Sequence, residues 1–291
     1  MTKLDEPQKL YRFRSIKNDE TNDGFDRAKG EIENAILGKV WFSKLDSQND
    51  LLDSNFVIEN SSDEEFSEAI SAFQKIHGMN TSLYGPKIYD NRLWKNRPWP
   101  KAKKREMYWQ ECKDNSLSWV DRFRKSSICC FNLDLASMVM WGLYSDCHRG
   151  FVLEFQVTDN ELPVNFISDR VKYFSQRPIV RSHEFVEHSA AHLEQKNGTK
   201  RHVPPAFFDT SVRGILLGHK SEEWKFEQEY RFSDIEGKTG FQDLIKWKLV
   251  RIIVGKNTPN KIEDCIRSCA GDIPVIRARL HNTEYKVVVG D

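Results

Sequence analysis

Two glutamates and an arginine alternate in Glu227-Gln228-Glu229-Tyr230-Arg231. Read as one strand from Trp224 to Phe232, the segment puts Glu227, Glu229 and Arg231 on one face and Phe226, Gln228, Tyr230 and Phe232 on the other. Like charges one strand repeat apart raise the pKa of at least one carboxylate, and the guanidinium opposes that rise. Such a row can hold an oriented, ionised carboxylate, the group needed where positive charge develops in a reaction. The competing reading is a salt-bridged sheet face in solvent. The two glutamates would lie about 7 Å apart along the strand, so only one can sit over a reacting carbon. Glu229, flanked by Tyr230 and Arg231, is the expected one.

A second group spans Met138 to Gly150. Trp141 and Tyr144 lie three apart on one helix face, and Asp146, His148 and Arg149 fall at a helix-to-strand turn, a usual place for the wall of a site. Packing of Met138, Trp141 and Tyr144 into the core is the alternative. The stretch Arg92 to Arg105 interleaves basic residues with Trp94 and Trp99, a composition suited to stacking bases and meeting phosphates. Glu223-Trp224-Lys225 with Asp209 matches the short acidic-x-lysine pattern of metal-dependent nucleases. His183 and His188 are five apart and turn about 140° from each other on a helix, which fails the zinc-protease spacing. His188 and His192 share a face but have no third ligand nearby in sequence, so no metal site is expected.

The surrounding elements must position these groups. Leu10 to Ser15 alternates as a half-buried strand, with Tyr11 and Phe13 on one face and Arg12 and Arg14 on the other. Phe25, Ala28, Ile32, Ala35 and Ile36 recur at helical spacing before Gly38, and Val40 to Ser43 resumes as a strand. Ser62 with Glu65 forms a capping box opening a helix to about Gly78. A turn-rich stretch follows from Asn80 to Pro100, then a helix from about Lys104 to Lys125. Strands are expected at Ser127 to Phe131, Gly150 to Val157, Val171 to Phe174, Leu249 to Val254, Ile273 to Leu280 and Tyr285 to Val289. Helices are expected through Met138 and Trp141, at Ser182 to Gln195, at Pro205 to Leu217, and after a Thr258-Pro259 cap. The order is α+β, with a split, largely antiparallel sheet core, helices and a helical insertion. At 291 residues, it reads as one domain over 1–291 with a helical and basic-loop insertion at 53–125.

With 44 Lys+Arg against 43 Asp+Glu, no chain-wide field exists to hold nucleic acid or an anionic membrane. No apolar run approaches the eighteen or so residues of a membrane span. The polar start Met1 to Pro7 and six cysteines without a Cys-x-x-Cys pair lead to the expectation of a cytoplasmic, reduced protein.

The ordered set Leu10-Tyr11-Arg12-Phe13-Arg14-Ser15, Val40-Trp41-Phe42-Ser43 with Asn49-Asp50, Met140-Trp141 to His148-Arg149-Gly150-Phe151, and Trp224 to Arg231 resembles the bacterial domain of unknown function 2971 family. The order of elements is similar to a distant ADP-ribosyltransferase plan. That resemblance implies NAD as substrate, bound by Arg12, Arg14, Ser43, Trp141, Tyr144 and His148. It implies Glu229 as the catalytic carboxylate, Glu227 orienting the acceptor, and Arg231 as a third catalytic group. A toxin or phage-defence effector, with a protein or nucleic-acid acceptor, is the implied setting. A noncatalytic sensor or nucleic-acid-binding module, using Arg92 to Arg105, and a metal-dependent nuclease stand as alternatives.

Overall fold

The computed structural model describes residues 7–16, 23–65, 68–69, 124–158, 166–185, 218–244 and 246–290. Its strands in chain order are β1 (Lys9–Arg14), β2 (Lys39–Lys44), β3 (Val57–Glu59), β4 (Ser127–Asn132), β5 (Phe151–Val157), β6 (Phe166–Arg170), β7 (Lys172–Phe174), β8 (Ile179–Arg181), β9 (His219–Ser221), β10 (Glu229–Asp234), β11 (Gly240–Asp243), β12 (Trp247–Val254), β13 (Val275–Arg277), β14 (Arg279–Leu280) and β15 (Val287–Val288). Three helices carry the main helical packing: α1 (Asp23–Ile36), α2 (Met138–Tyr144) and α3 (Asn260–Ala270). The fold is α+β, as its sequence pattern implies. No helix among the described residues is long and apolar enough to cross a membrane.

The chain divides into two compact units. The first comprises residues 1–51, 126–173 and 220–291. Its described residues contain a sheet of order β11-β2-β4-β1-β5-β12-β13, with β10 on β4 and β6 on β10. All of these pairings are antiparallel except β12 with β13. The expected half-buried first strand is a central one: β1 lies between β4 and β5, which pair with its two edges, while its side chains enter cores on both faces. Leu10 joins Ile32 of α1, Phe155, Trp247 and Ile266 of α3 in one core, while Phe13 joins Trp141, Val152 and Ile253 in the other.

α1 buries Ala28, Ile32 and Ala35 but leaves Ile36 exposed, and Gly38 ends it at φ +74°, where the missing Cβ relieves the left-handed strain. α3 departs from the expected cap. Pro259 is its N-cap with no side-chain bond, and Thr258 instead donates its hydroxyl to the Gly150 carbonyl at 2.9 Å.

The sheet is split at β4. One edge of β4 pairs with β10 along its length, from Glu229↔Asn132 to Asp234↔Ser127. The other edge is shared: β2 takes Ser127 and Ile128, β1 takes Asn132, and no ladder pair is formed from Cys129 to Phe131. Arg12 reaches into this gap from β1. Its guanidinium donates to the Trp41 carbonyl of β2 at 2.9 Å and to the Cys129 thiol of β4, standing in for backbone bonds that the diverging strands cannot make.

The second unit comprises residues 52–125 and 174–219. Within it, β3 and β8 pair in parallel, and Arg181 meets Glu59 and Glu65 at 3.6 and 3.0 Å. The Ser62 and Glu65 capping box forms in both directions, at 3.2 and 2.8 Å. The rest of that expected helix falls largely outside the described residues. The expected Asn80–Pro100 loop, the Pro205–Leu217 helix, Arg92–Arg105, His188, His192 and Asp209 lie outside them altogether, as does nearly all of the 104–125 helix. Only the start of the Ser182–Gln195 helix is described, as a 3-10 turn over Ser182–Phe185.

Candidate functional site

The first unit holds a cleft at the split in its sheet. The inner part, of about 190 Å3, is lined by residues that include Arg12, Arg14, Ser43, Tyr144, Glu227 and Glu229. An outer part of about 940 Å3 shares Arg12, Arg14, Ser43 and Tyr144 with it and extends to Arg27, Trp41 and Trp224. The combined space suits a cofactor-sized ligand. Six residues picked out by their chemistry, distant in sequence, therefore meet here.

The floor is built differently from the strand expected over Trp224 to Phe232. Glu222–Glu227 form a 3-10 helix, and β10 begins only at Glu229. Gln228 between them adopts a left-handed conformation, φ 41° and ψ 52°. This joint redirects the chain, so Glu227 arrives from the helix and Glu229 from the strand while both line the inner cavity. From Glu229 onward the alternation holds: Tyr230 and Phe232 enter the apolar core.

Both glutamates are buried, at 5 % and 4 % exposure. Lys220 bridges them, its Nζ lying 2.5 Å from Glu227 Oε2 and 2.9 Å from Glu229 Oε2. Arg231 donates through Nε to Glu229 Oε1 at 2.7 Å. Tyr144 donates its hydroxyl to Glu227 Oε1, and Asn132 donates through Nδ2 to the Glu227 carbonyl. The Glu229 backbone N–H donates to the Tyr173 hydroxyl oxygen at 2.9 Å.

Burial alone would raise the Glu229 carboxyl, but Arg231 and Lys220 outweigh it and hold the group well below the usual carboxylate range. Glu229 is an anion at any physiological pH. Burial lowers and the glutamates raise the affinity of Lys220 for its proton, with a net upward shift, so it stays an ammonium. Burial pushes the Tyr173 hydroxyl up to about 12. Burial together with the neighbouring Glu227 pushes Tyr144 up further, and burial with Glu229 does the same to the Cys130 thiol.

The walls carry positive charge. Arg14 pairs with Glu31 of α1, and burial together with neighbouring Arg12 weakens its hold on its proton, which Glu31 partly restores. Arg12 is 8 % exposed, and its Nε is buried with no hydrogen-bond partner among the described residues. Ser43 accepts from Gln48 Nε2 at 3.0 Å at the rim.

Three expected site residues do not reach the cleft. Trp141 is fully buried: its Nε1 donates to the Leu135 carbonyl at 2.8 Å, and its ring meets Phe13 edge-on at 5.3 Å. The core claims it because α2 buries Met140 and Trp141 against Phe13, Val152 and Ile253 of the sheet. His148 stacks on the outer side of Trp141, 5.9 Å away and 5° from parallel, within the left-handed run Asp146, Cys147 and His148. Burial and Lys256 lower its pKa. Arg231, at 2 % exposure, sits behind Glu229 and does not line the cavity. It acts on Glu229, not on a ligand.

Lys220, Asn132 and Tyr173 had no motif to announce them. The usable signal was electrostatic: two buried carboxylates with one arginine leave a negative charge that some further cation must balance.

No curated protein and no solved structure matches the chain. Residues 140–232, which carry Tyr144, Lys220, Glu227 and Glu229 of this cleft, match the family described as protein of unknown function (DUF2971).

Proposed function

We propose that the cleft binds NAD and cleaves it, passing the ADP-ribosyl group to an acceptor or to water. The observation that carries this reading is the meeting of the Arg12 and Arg14 guanidinium groups with the ionised Glu229 in one cleft. The guanidinium groups of Arg12 and Arg14 suit the pyrophosphate oxygens, and the large outer space beside Trp41 and Trp224 suits a planar base. Glu229 would hold a ribose hydroxyl and face the positive charge that develops as the ribose–nicotinamide C–N bond breaks. Nicotinamide leaves as a neutral base with the bonding electron pair. Water or an acceptor then forms the new bond to the ribose carbon and releases a proton. Burial keeps the carboxylate in a low-dielectric setting, where it acts strongly on that charge. A cellular acceptor, protein or nucleic acid, and a role as a toxin or antiviral effector in the cytoplasm accord with this chemistry.

The test is incubation of the purified chain with NAD, alone and with cell lysate, with chromatographic detection of free nicotinamide. Nicotinamide release that Glu229→Gln abolishes supports the reading. The same cleft would serve a noncatalytic sensor, since Lys220 and Arg231 already engage Glu229. Saturable NAD binding without release selects that reading, and no binding at millimolar NAD ends both.

A further inference from the structure

We propose that Lys220 is the positioning residue of the carboxylate pair, an ammonium bridge that holds the Glu227 and Glu229 side chains together and turned toward one ligand. The proposal rests on the preceding reading only in taking these carboxylates as the ligand-facing groups of the cleft.

Two carboxylates within reach of one nitrogen repel each other, and in a buried site one of them takes up a proton unless cations compensate. Here two anions face two cations, but the cations are not equivalent. Of the two glutamates, Arg231 contacts Glu229. Lys220 contacts both glutamates and is the only cation that the described residues place against Glu227. The remaining side-chain partner of Glu227 is the neutral Tyr144 hydroxyl. Removing the ammonium therefore leaves Glu227 without a cation among the described residues.

The groups facing the bridge come from every element packed on it. Trp224 and Glu227 approach from the 3-10 helix, with the indole 5.6 Å from Nζ. Glu229 and Arg231 approach from β10, and Cys130 from β4. Tyr144 of α2 and Tyr173 of β7 face the glutamates. The thiol and both phenols stay protonated through the neutral range, so between about pH 4 and pH 8 the carboxylates are the groups here that can answer to a change at Lys220. Position follows the same logic. Glu227 ends a short helix on the left-handed joint at Gln228, and the bridge ties its carboxylate to the fixed Glu229.

The experiment compares wild type with Lys220→Met, Lys220→Arg and Lys220→Met/Glu227→Gln. Carboxylate titration is followed by 13C NMR on glutamate-labelled protein, with Glu227→Gln and Glu229→Gln supplying assignments. In Lys220→Met one carboxylate should titrate at least about one pH unit above its wild-type position, a tenfold change in its ionisation constant. Lys220→Arg should stay near wild type. Unchanged titration in Lys220→Met overturns the proposal. If Lys220→Met does not fold, the double variant, which removes both charges, should recover most of the lost thermal midpoint, and no recovery also overturns it. In nicotinamide release, Lys220→Met should move the acid limb of the pH profile upward and lower kcat with little change in KM. A chain that shows the NMR shift but releases no nicotinamide in any form keeps the Lys220 assignment and loses the NAD reading.

Discussion

Glu229→Gln separates the charge of this residue from its shape. The amide can still accept from Arg231 Nε, 2.7 Å away in the wild type, but buried Arg231 and Lys220 both lose the Glu229 charge beside them. Breaking a buried ion pair costs about 3–5 kcal/mol, and the retained hydrogen bond places this case near the lower end, about 3 kcal/mol. At about 2–4 °C per kcal/mol for a domain of this size, the midpoint should fall by roughly 6–12 °C. The loss carries a pH signature. Burial raises the Glu229 carboxyl while Arg231 and Lys220 bring it down to about 2, so its folded pKa lies below its unfolded one. Its stabilisation is complete above the ordinary carboxylate pKa of about 4.3 and is lost as pH falls through the folded value. The gap between wild type and Glu229→Gln should be constant from about pH 8 to pH 5 and close steadily below that. Thermal unfolding of both proteins by circular dichroism across that range measures it. A gap equal at pH 3 and pH 7, or one below about 1 kcal/mol at pH 7, would refute the buried-anion account. Nicotinamide release should fall about a hundredfold or more, with NAD affinity little changed.

Two further outcomes test the frame around the cleft. A Cβ at Gly255 would collide with the His148 carbonyl, inside the turn where Asp146, Cys147 and His148 hold φ of 50°, 52° and 64°. Gly255→Ala should therefore destabilise the fold by about 2 kcal/mol or more in urea unfolding, and a neutral result would mean that the turn yields freely. Iodoacetamide at pH 8 should label exposed Cys147 before Cys130, whose thiol burial and Glu229 keep protonated. Peptide mapping that finds Cys130 modified first would contradict this.

Much of the sheet was legible because its strands are apolar or alternating runs, even where β12 breaks register between Leu249 and Arg251. β4, β5 and β12 fall where apolar or alternating residues predict them, and Arg12 and Arg14 share a face because β1 alternates without a bulge. The floor of the cleft was not legible to the same depth. Over six residues a period of two and a period of three fit Glu222–Glu227 almost equally, and nothing in a glutamine announces the left-handed turn that decides between them. Trp141 was misplaced because three-residue spacing puts it and Tyr144 on neighbouring helix positions, whereas the bonds to Leu135 and Phe13 that draw the indole inward come from segments the helix pattern does not contain. Lys220 stands on a three-residue strand, where alternation is too brief to say which way a side chain points.

The shared edge of β4 also governs how the protein must assemble. The cleft needs β1, β2, β4, α2 and β10, so it closes only when residues as far apart as Arg12 and Glu229 have met. Such long-range pairing is entropically slow, and it places completion of the cleft late in folding. The stretch 140–232 holds the carboxylate floor but none of β1, β2 or β4. Expressed alone it would carry two glutamates and their lysine with no arginine wall opposite. A chain emerging from the ribosome stays without a complete cleft until β10 has been made, so whatever the cleft does begins only after synthesis has passed that point.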